Sequence, residues 1–64
     1  MEAKQLKVLN KGEFFKLSGT DSAPIWVRDY YDRSARMVWV HKFDDINHGK
    51  FIKGSRIVFS GFTF

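Results

Sequence analysis

Hydrophobic and polar residues alternate along this chain in a way that predicts an all-β fold centred on one hairpin. Residues 25–31 and 36–43 are rich in β-branched and aromatic side chains, and they flank the short polar stretch 32–35. Two such runs separated by a few turn-forming residues are typical of a β-hairpin. Both tryptophans and both tyrosines lie within these runs, so we expect the other strands to pack against them.

The remaining apolar runs predict the shorter strands of a small meander. Residues 13–17 and 56–59 alternate as strands do, and residues 50–52 form a strand or a connector. Residues 6–8 are expected to pair weakly with a sheet edge, whereas the polar residues 1–5 are expected to fray. Together with the hairpin, these segments indicate four to five short strands.

The connecting segments complete the predicted fold. Residues 18–24 contain the single proline of the chain and predict its longest and most flexible loop. Two aspartates followed by a glycine predict one helical turn at residues 44–48. Residues 1–64 are therefore expected to form a single small domain, a meander barrel of SH3-like or OB-like type with at most one helical turn.

The period of two assigns the side chains of the hairpin to two faces. If Tyr31 pairs with Arg36, one face carries Trp26, Arg28, Tyr30, Met37, Trp39, His41 and Phe43. The other face then carries Ile25, Val27, Asp29, Tyr31, Arg36, Val38, Val40 and Lys42. A shift of one residue in one strand would mix these sets, so the assignment depends on the length of the hairpin loop.

Composition requires the aromatic side chains to supply much of the core. The chain has 64 residues and no cysteine, so neither a disulfide nor a thiolate metal site is expected to support the fold. Each buried aromatic side chain removes roughly 150–250 Å² from water. No apolar run reaches the ~20 residues of a membrane helix, and residues 1–10 do not resemble a secretory signal. We therefore expect a cytoplasmic protein without a membrane partner.

An aromatic and basic surface is the main candidate functional site. Eleven Lys and Arg against seven Asp and Glu give a formal charge of +4, which suits a polyanionic partner. Bases stack on aromatic rings for ~1–3 kcal/mol each, and basic side chains contact phosphates. The predicted nucleic-acid-binding residues are Trp26, Arg28, Tyr30, Arg33, Arg36, Trp39, His41, Lys53 and Arg56. The competing interpretation places Trp26, Tyr30 and Trp39 in the core, because so short a chain needs its largest side chains inside.

Two functions follow from these features. The preferred one is a nucleic-acid-binding module, for single strands or without sequence preference. The alternative is a protein-interaction module that binds an acidic protein surface or pairs a sheet edge with another chain, including a second copy in a homodimer. The sequence contains no nucleophile elbow or phosphate-binding glycine loop, so neither an enzyme nor a cofactor is expected. A metal site formed by His41 and residues 44–48 is disfavoured, because the spacing matches no recognised metal loop.

Several short motifs resemble those of a group of short uncharacterised bacterial proteins. The motifs are Lys-Gly-Glu-Phe-Phe at 11–15, Trp-Val-Arg at 26–28, Tyr-Asp-Arg-Ser at 31–34, Asp-Asp-Ile-Asn at 44–47, Lys-Gly at 53–54 and Phe-Thr-Phe at 62–64. They span most of the chain, and the resemblance implies no function. Residues 51–61 also resemble the Lys-Gly hairpin of OB-fold and SH3-like barrels, including single-strand DNA-binding proteins.

Overall fold

A computed structural model describes residues 1–62, which form one antiparallel sheet and one short 3₁₀ helix. The elements are β1 Glu2–Gln5, the 3₁₀ helix Leu6–Val8, β2 Phe14–Lys16, β3 Ile25–Asp32, β4 Met37–Lys42, β5 Asp45–Lys53 and β6 Ile57–Ser60. The six strands are ordered β1-β6-β2-β3-β4-β5. The prediction of an all-β fold with almost no helix is confirmed. Within the described residues β1 and β5 end the order and do not pair with each other, so the sheet is not closed.

One face of the sheet carries the core. The buried hydrophobic side chains are Leu6, Leu9, Phe15, Trp26, Val38, Val40, Ile52 and Val58. Leu17 and Tyr31 pack against them from partly exposed positions. Each fully buried Val, Leu, Ile or Phe contributes roughly 1.5–3 kcal/mol. The cluster draws on β2, β3, β4, β5 and β6, so every strand except β1 adds a residue to it.

The register of the central hairpin differs from the predicted one. Paired positions are Trp26–Lys42, Val27–His41, Arg28–Val40, Tyr31–Val38 and Asp32–Met37. Tyr31 therefore does not pair with Arg36, and a bulge lies between Arg28 and Tyr31. Trp26 shares the core face with Val38 and Val40, whereas Trp39 points to the opposite face. The predicted placement of the two tryptophans on one face is wrong.

Local turn chemistry explains the register. The Asp32 side chain accepts hydrogen bonds from the backbone N–H groups of Ser34 (2.9 Å) and Ala35 (3.3 Å). Arg36 closes the turn with a φ of 55°, in the left-handed region. Residues 33–36 thus form the loop between Asp32 and Met37. The bulge then adds one residue to β3, which moves Trp26 to the face opposite Trp39.

Segments outside the central hairpin also differ from expectation. Residues 44–48 do not form a helical turn, because β5 begins at Asp45, whose carboxylate accepts the N–H of Asn47 at 3.1 Å. The only helix within residues 1–62 is the 3₁₀ turn Leu6–Val8, which buries Leu6. Residues expected to fray form β1, which pairs with β6. Six strands replace the expected four to five, and the predicted strand end at Phe64 lies outside the described residues.

Candidate nucleic-acid interface

Three aromatic side chains form a cluster on the face of the sheet opposite the core, here called the outer face. This outer aromatic cluster consists of Tyr30, Trp39 and Phe51. Trp39 pairs with Phe51 across β4 and β5, and their ring centroids lie 5.0 Å apart with planes inclined at 67°. Tyr30 meets Phe51 edge-on at 6.1 Å. Tyr30 is 49% exposed and Phe51 is 42% exposed, so the cluster keeps ring surface in water.

A glycine beneath the cluster fixes the position of Trp39. Gly49 lies on β5 opposite His41. A Cβ atom placed on Gly49 would lie 2.3 Å from Cζ2 of Trp39, a distance that real carbon atoms do not reach. The indole ring therefore lies directly against the bare backbone of β5. Any larger residue at position 49 would push the ring away from that backbone.

A small polar group borders the cluster. The Nδ1 atom of His41 lies 3.7 Å from Oδ2 of Asp29, and Nζ of Lys11 lies 3.9 Å from Oδ1 of the same carboxylate. The Asp29 carboxylate therefore lies close to both side chains, one at each oxygen. His41 stands on the outer face two residues from Trp39, so it flanks the aromatic cluster and faces a carboxylate.

Four exposed basic residues surround the turn at Gly54, and we call this group the basic edge. Its members are Lys7, Arg36, Lys53 and Arg56. The Gly54 N–H donates to the carbonyl of Arg36 at 3.1 Å, and the Lys7 N–H donates to the carbonyl of Gly54 at 2.9 Å. These bonds bring the hairpin loop, the 3₁₀ helix and the β5–β6 turn together. The basic residues thus come from distant parts of the sequence.

A groove joins the basic edge to the outer aromatic cluster. Its volume is about 420 Å³, and it is lined by Met37, Lys50, Phe51, Ile52, Lys53, Ser55 and Arg56. None of the four residues of the basic edge forms an ion pair within residues 1–62, where the acidic partners are Glu2 and Asp29. The groove therefore presents positive charge that no carboxylate of that region neutralises.

A second cavity offers a useful contrast. It has a volume of about 520 Å³ and is lined by Ala23, Pro24, Ile25, Lys42, Phe43 and Asp44. One lysine and one aspartate give this lining no net charge. The two cavities lie near opposite ends of the central strands. Because only the groove has a net positive lining, a polyanion is expected to prefer the groove.

The predicted site residues divide among four places: the core face, the outer face, the basic edge and the hairpin loop. Trp26 is 5% exposed and belongs to the core, where His48 and the Lys50 ammonium contact its ring at 5.9 and 4.7 Å. Arg28 also lies on the core face, opposite Val40, and donates from Nη1 to the carbonyl of Asp29. Neither side chain joins the outer aromatic cluster.

The other predicted residues remain at the surface. Tyr30, Trp39 and His41 lie on the outer face, Arg36, Lys53 and Arg56 belong to the basic edge, and Arg33 is exposed in the hairpin loop. Sequence reasoning missed Lys7, Lys50 and Phe51. The pairing of Trp39 with Phe51 would have revealed Phe51, but it depends on the β4–β5 register, for which the sequence offers no tight turn signal.

Residues 1–62 contain neither a metal-binding cluster nor a membrane-spanning helix. No group of three His, Asp or Glu side chains among residues 1–62 is arranged to hold a metal ion. His41 faces outward toward Asp29, whereas His48 packs on the core tryptophan, so the two imidazoles are separated by the sheet. The single short helix of residues 1–62 is too small to cross a bilayer.

Comparison with known proteins yields no relative. No family model, no curated protein and no solved structure matches this chain. Its function must therefore be inferred from the chemistry of the outer aromatic cluster and the basic edge.

Proposed function

We propose that this chain is a small nucleic-acid-binding module, not an enzyme, and that its basic edge contacts phosphates. The observation that carries the proposal is the convergence of four exposed basic residues, free of ion pairs within residues 1–62, around the turn at Gly54, where Lys53 and Arg56 line one groove. A polyanion that lies along the groove would neutralise several of them together.

Salt dependence provides the first test. Each phosphate contact to a single strand contributes a slope of about −0.7 to the plot of log K against log salt concentration. With three to four contacts from the basic edge, the expected slope is about −2 to −3. A fluorescence anisotropy titration of a labelled oligonucleotide at several salt concentrations measures this slope. Binding that is absent at low salt would contradict the proposal.

A pair of charge-matched variants locates the contact. Lys53→Ala removes a residue of the groove and is expected to weaken binding and reduce the slope by about 0.7. Lys42→Ala removes the same charge from the second cavity, near the opposite end of the central strands. That variant should bind almost as the wild type does. Equal losses in both variants would show that net charge, and not the groove, governs binding.

The alternative function is a protein-interaction module that pairs a sheet edge with another chain. The available edges are β1 and β5. Lys50 and Lys53 lie on β5 and Lys4 lies on β1, and lysines on an edge strand discourage strand addition. The β4–β5 pairing also shifts register between His41 and Lys42 of β4, and this shortens the regular part of β5. Sedimentation of a dimer, together with no salt-dependent oligonucleotide binding, would favour this alternative.

The barrel type predicted from the sequence also remains a proposal. We propose that the sheet curls toward an SH3-like or OB-like barrel, with the segment after β1 approaching the end of β5. Two backbone hydrogen bonds support this: Leu6 N–H donates to Arg56 and Lys7 N–H donates to Gly54, each at 2.9 Å. Long-range amide contacts in solution between residues 6–7 and 54–56 would test it.

A further inference from the structure

Phe51 belongs to both parts of the candidate interface. Its side chain lines the groove beside Lys50 and Lys53. The same ring contacts Trp39 at 5.0 Å and Tyr30 at 6.1 Å on the outer face. A polymer that passes along the groove therefore meets an exposed aromatic surface where the groove ends. Phosphate binding and ring stacking are available to one ligand at adjacent positions.

Two rings of the cluster keep much of their surface in water. Tyr30 and Phe51 are close to half exposed, although buried apolar surface stabilises a chain this short. The edge-on contacts, at interplanar angles of 85° and 67°, hold the rings at defined positions without stacking them face to face. Base–aromatic stacking uses such ring faces and tolerates any base.

We infer that the nucleic acid bound by this chain is single-stranded, with unpaired bases stacked on Tyr30 and Phe51 and phosphates on the basic edge. This inference rests on the proposed function. In a duplex each base is already stacked between its neighbours, so its ring face is not available to a protein side chain. A single strand exposes both its bases and its phosphates, and it therefore matches the juxtaposition of groove and cluster.

Three oligonucleotides separate stacking from charge. An oligothymidylate of about 12 nucleotides falls within the site sizes of small single-strand-binding domains. An abasic strand of the same length carries the same phosphates without bases, and a blunt duplex of that length pairs all its bases. The wild-type chain is expected to bind oligothymidylate at least about tenfold more tightly than either of the others at low salt.

Variants of Tyr30 assign the stacking to the cluster. Tyr30→Ala is expected to weaken oligothymidylate binding by about 5- to 150-fold, the range equivalent to one stacked base. Tyr30→Phe keeps the ring and should retain the wild-type affinity. Phe51→Ala should behave as Tyr30→Ala does. None of these variants should change the affinity for the abasic strand, and thermal melting of each confirms that it is folded.

The outcomes distinguish the two proposals. If oligothymidylate, abasic strand and duplex bind with equal, salt-dependent affinity, the single-strand inference is overturned and the nucleic-acid-binding function stands. Preferential binding of the duplex would likewise overturn the single-strand inference and leave the nucleic-acid-binding function standing. If none of the three binds at low salt, the proposed function itself is refuted. If oligothymidylate is preferred but folded Tyr30→Ala and Phe51→Ala bind as the wild type does, stacking on this cluster is refuted.

Discussion

Substitution of Gly49 by alanine tests the contact on which the outer aromatic cluster is built. Gly12 and Gly61 have positive φ values, and Gly49 is not among the residues with positive φ, so its backbone accepts alanine without strain. The added methyl group would lie 2.3 Å from Cζ2 and 2.9 Å from Cε2 of Trp39. Carbon atoms in contact lie about 3.5–4.0 Å apart, so the indole ring must move by more than about 1 Å.

The expected cost follows from opposing effects. Overpacking of this kind costs about 1–3 kcal/mol. Replacement of a strand glycine by alanine raises the free energy of unfolding by about 0.5–1 kcal/mol, because the unfolded chain loses conformational freedom. We therefore expect Gly49→Ala to lower the free energy of unfolding by up to about 2.5 kcal/mol, with a central value of about 1 kcal/mol. Movement of the ring should also weaken oligothymidylate binding, because Trp39 positions Phe51.

A double-mutant cycle makes the reasoning refutable. In a Trp39→Ala background the methyl group has nothing to displace, so Gly49→Ala should now stabilise the fold by about 0.5–1 kcal/mol. Urea unfolding at low temperature, monitored by circular dichroism, measures all four variants. A change of sign between the two backgrounds is the expected result. If Gly49→Ala has the same effect in both, the indole does not lie against the backbone of β5.

Three further substitutions test other parts of the fold. Trp26→Ala should unfold the chain, because loss of a core tryptophan costs about 3–5 kcal/mol and a domain of this size has about 3–5 kcal/mol in total; Trp39→Ala, on the outer face, should retain dispersed amide signals. Arg36→Gly should stabilise the fold by about 0.5–1 kcal/mol in urea unfolding, since glycine adopts the left-handed φ without steric cost, and unchanged stability would contradict that backbone conformation. Lys16→Met removes the ammonium that donates to the Asp21 carbonyl at 3.0 Å. Amide exchange in residues 18–24 should accelerate, while global stability changes by less than about 1 kcal/mol because the variant also relieves the burial of a charge. Unchanged exchange would show that Lys16 does not anchor the loop.

Local patterns predicted the strands but not how they pair. The alternation of residues 25–31 and 36–43 was sufficient to place β3 and β4, because each run has the period of a half-buried strand. The register depends on a bulge near Asp29 and on the Asp32 turn, and neither leaves a distinct signal in the alternation. A one-residue difference moved Trp26 into the core and left Trp39 outside. Because the side-chain period is two, a one-residue change in register moves a whole set of side chains to the other face.

The candidate site shows the same limit. Exposed Lys53 and Arg56 were predicted as binding residues from charge alone, and the structure places both in the groove. Lys7 joins them only because the 3₁₀ helix pairs with the turn at Gly54, a contact between residues 47 positions apart that no local pattern encodes. Residues 44–48 show the converse error, since an aspartate can cap a turn within a strand as well as a helix.

A titration of the isotope-labelled protein with the oligothymidylate at low salt, followed by amide and indole chemical shifts, tests the central claim most directly. We predict that the perturbed signals belong to Tyr30, the Trp39 indole, Phe51, Lys53 and Gly54, and that they return to their free positions as salt is added. Perturbations confined to residues 18–24 and 42–44, around the second cavity, whose lining has no net charge, would contradict the account, as would a spectrum that does not change.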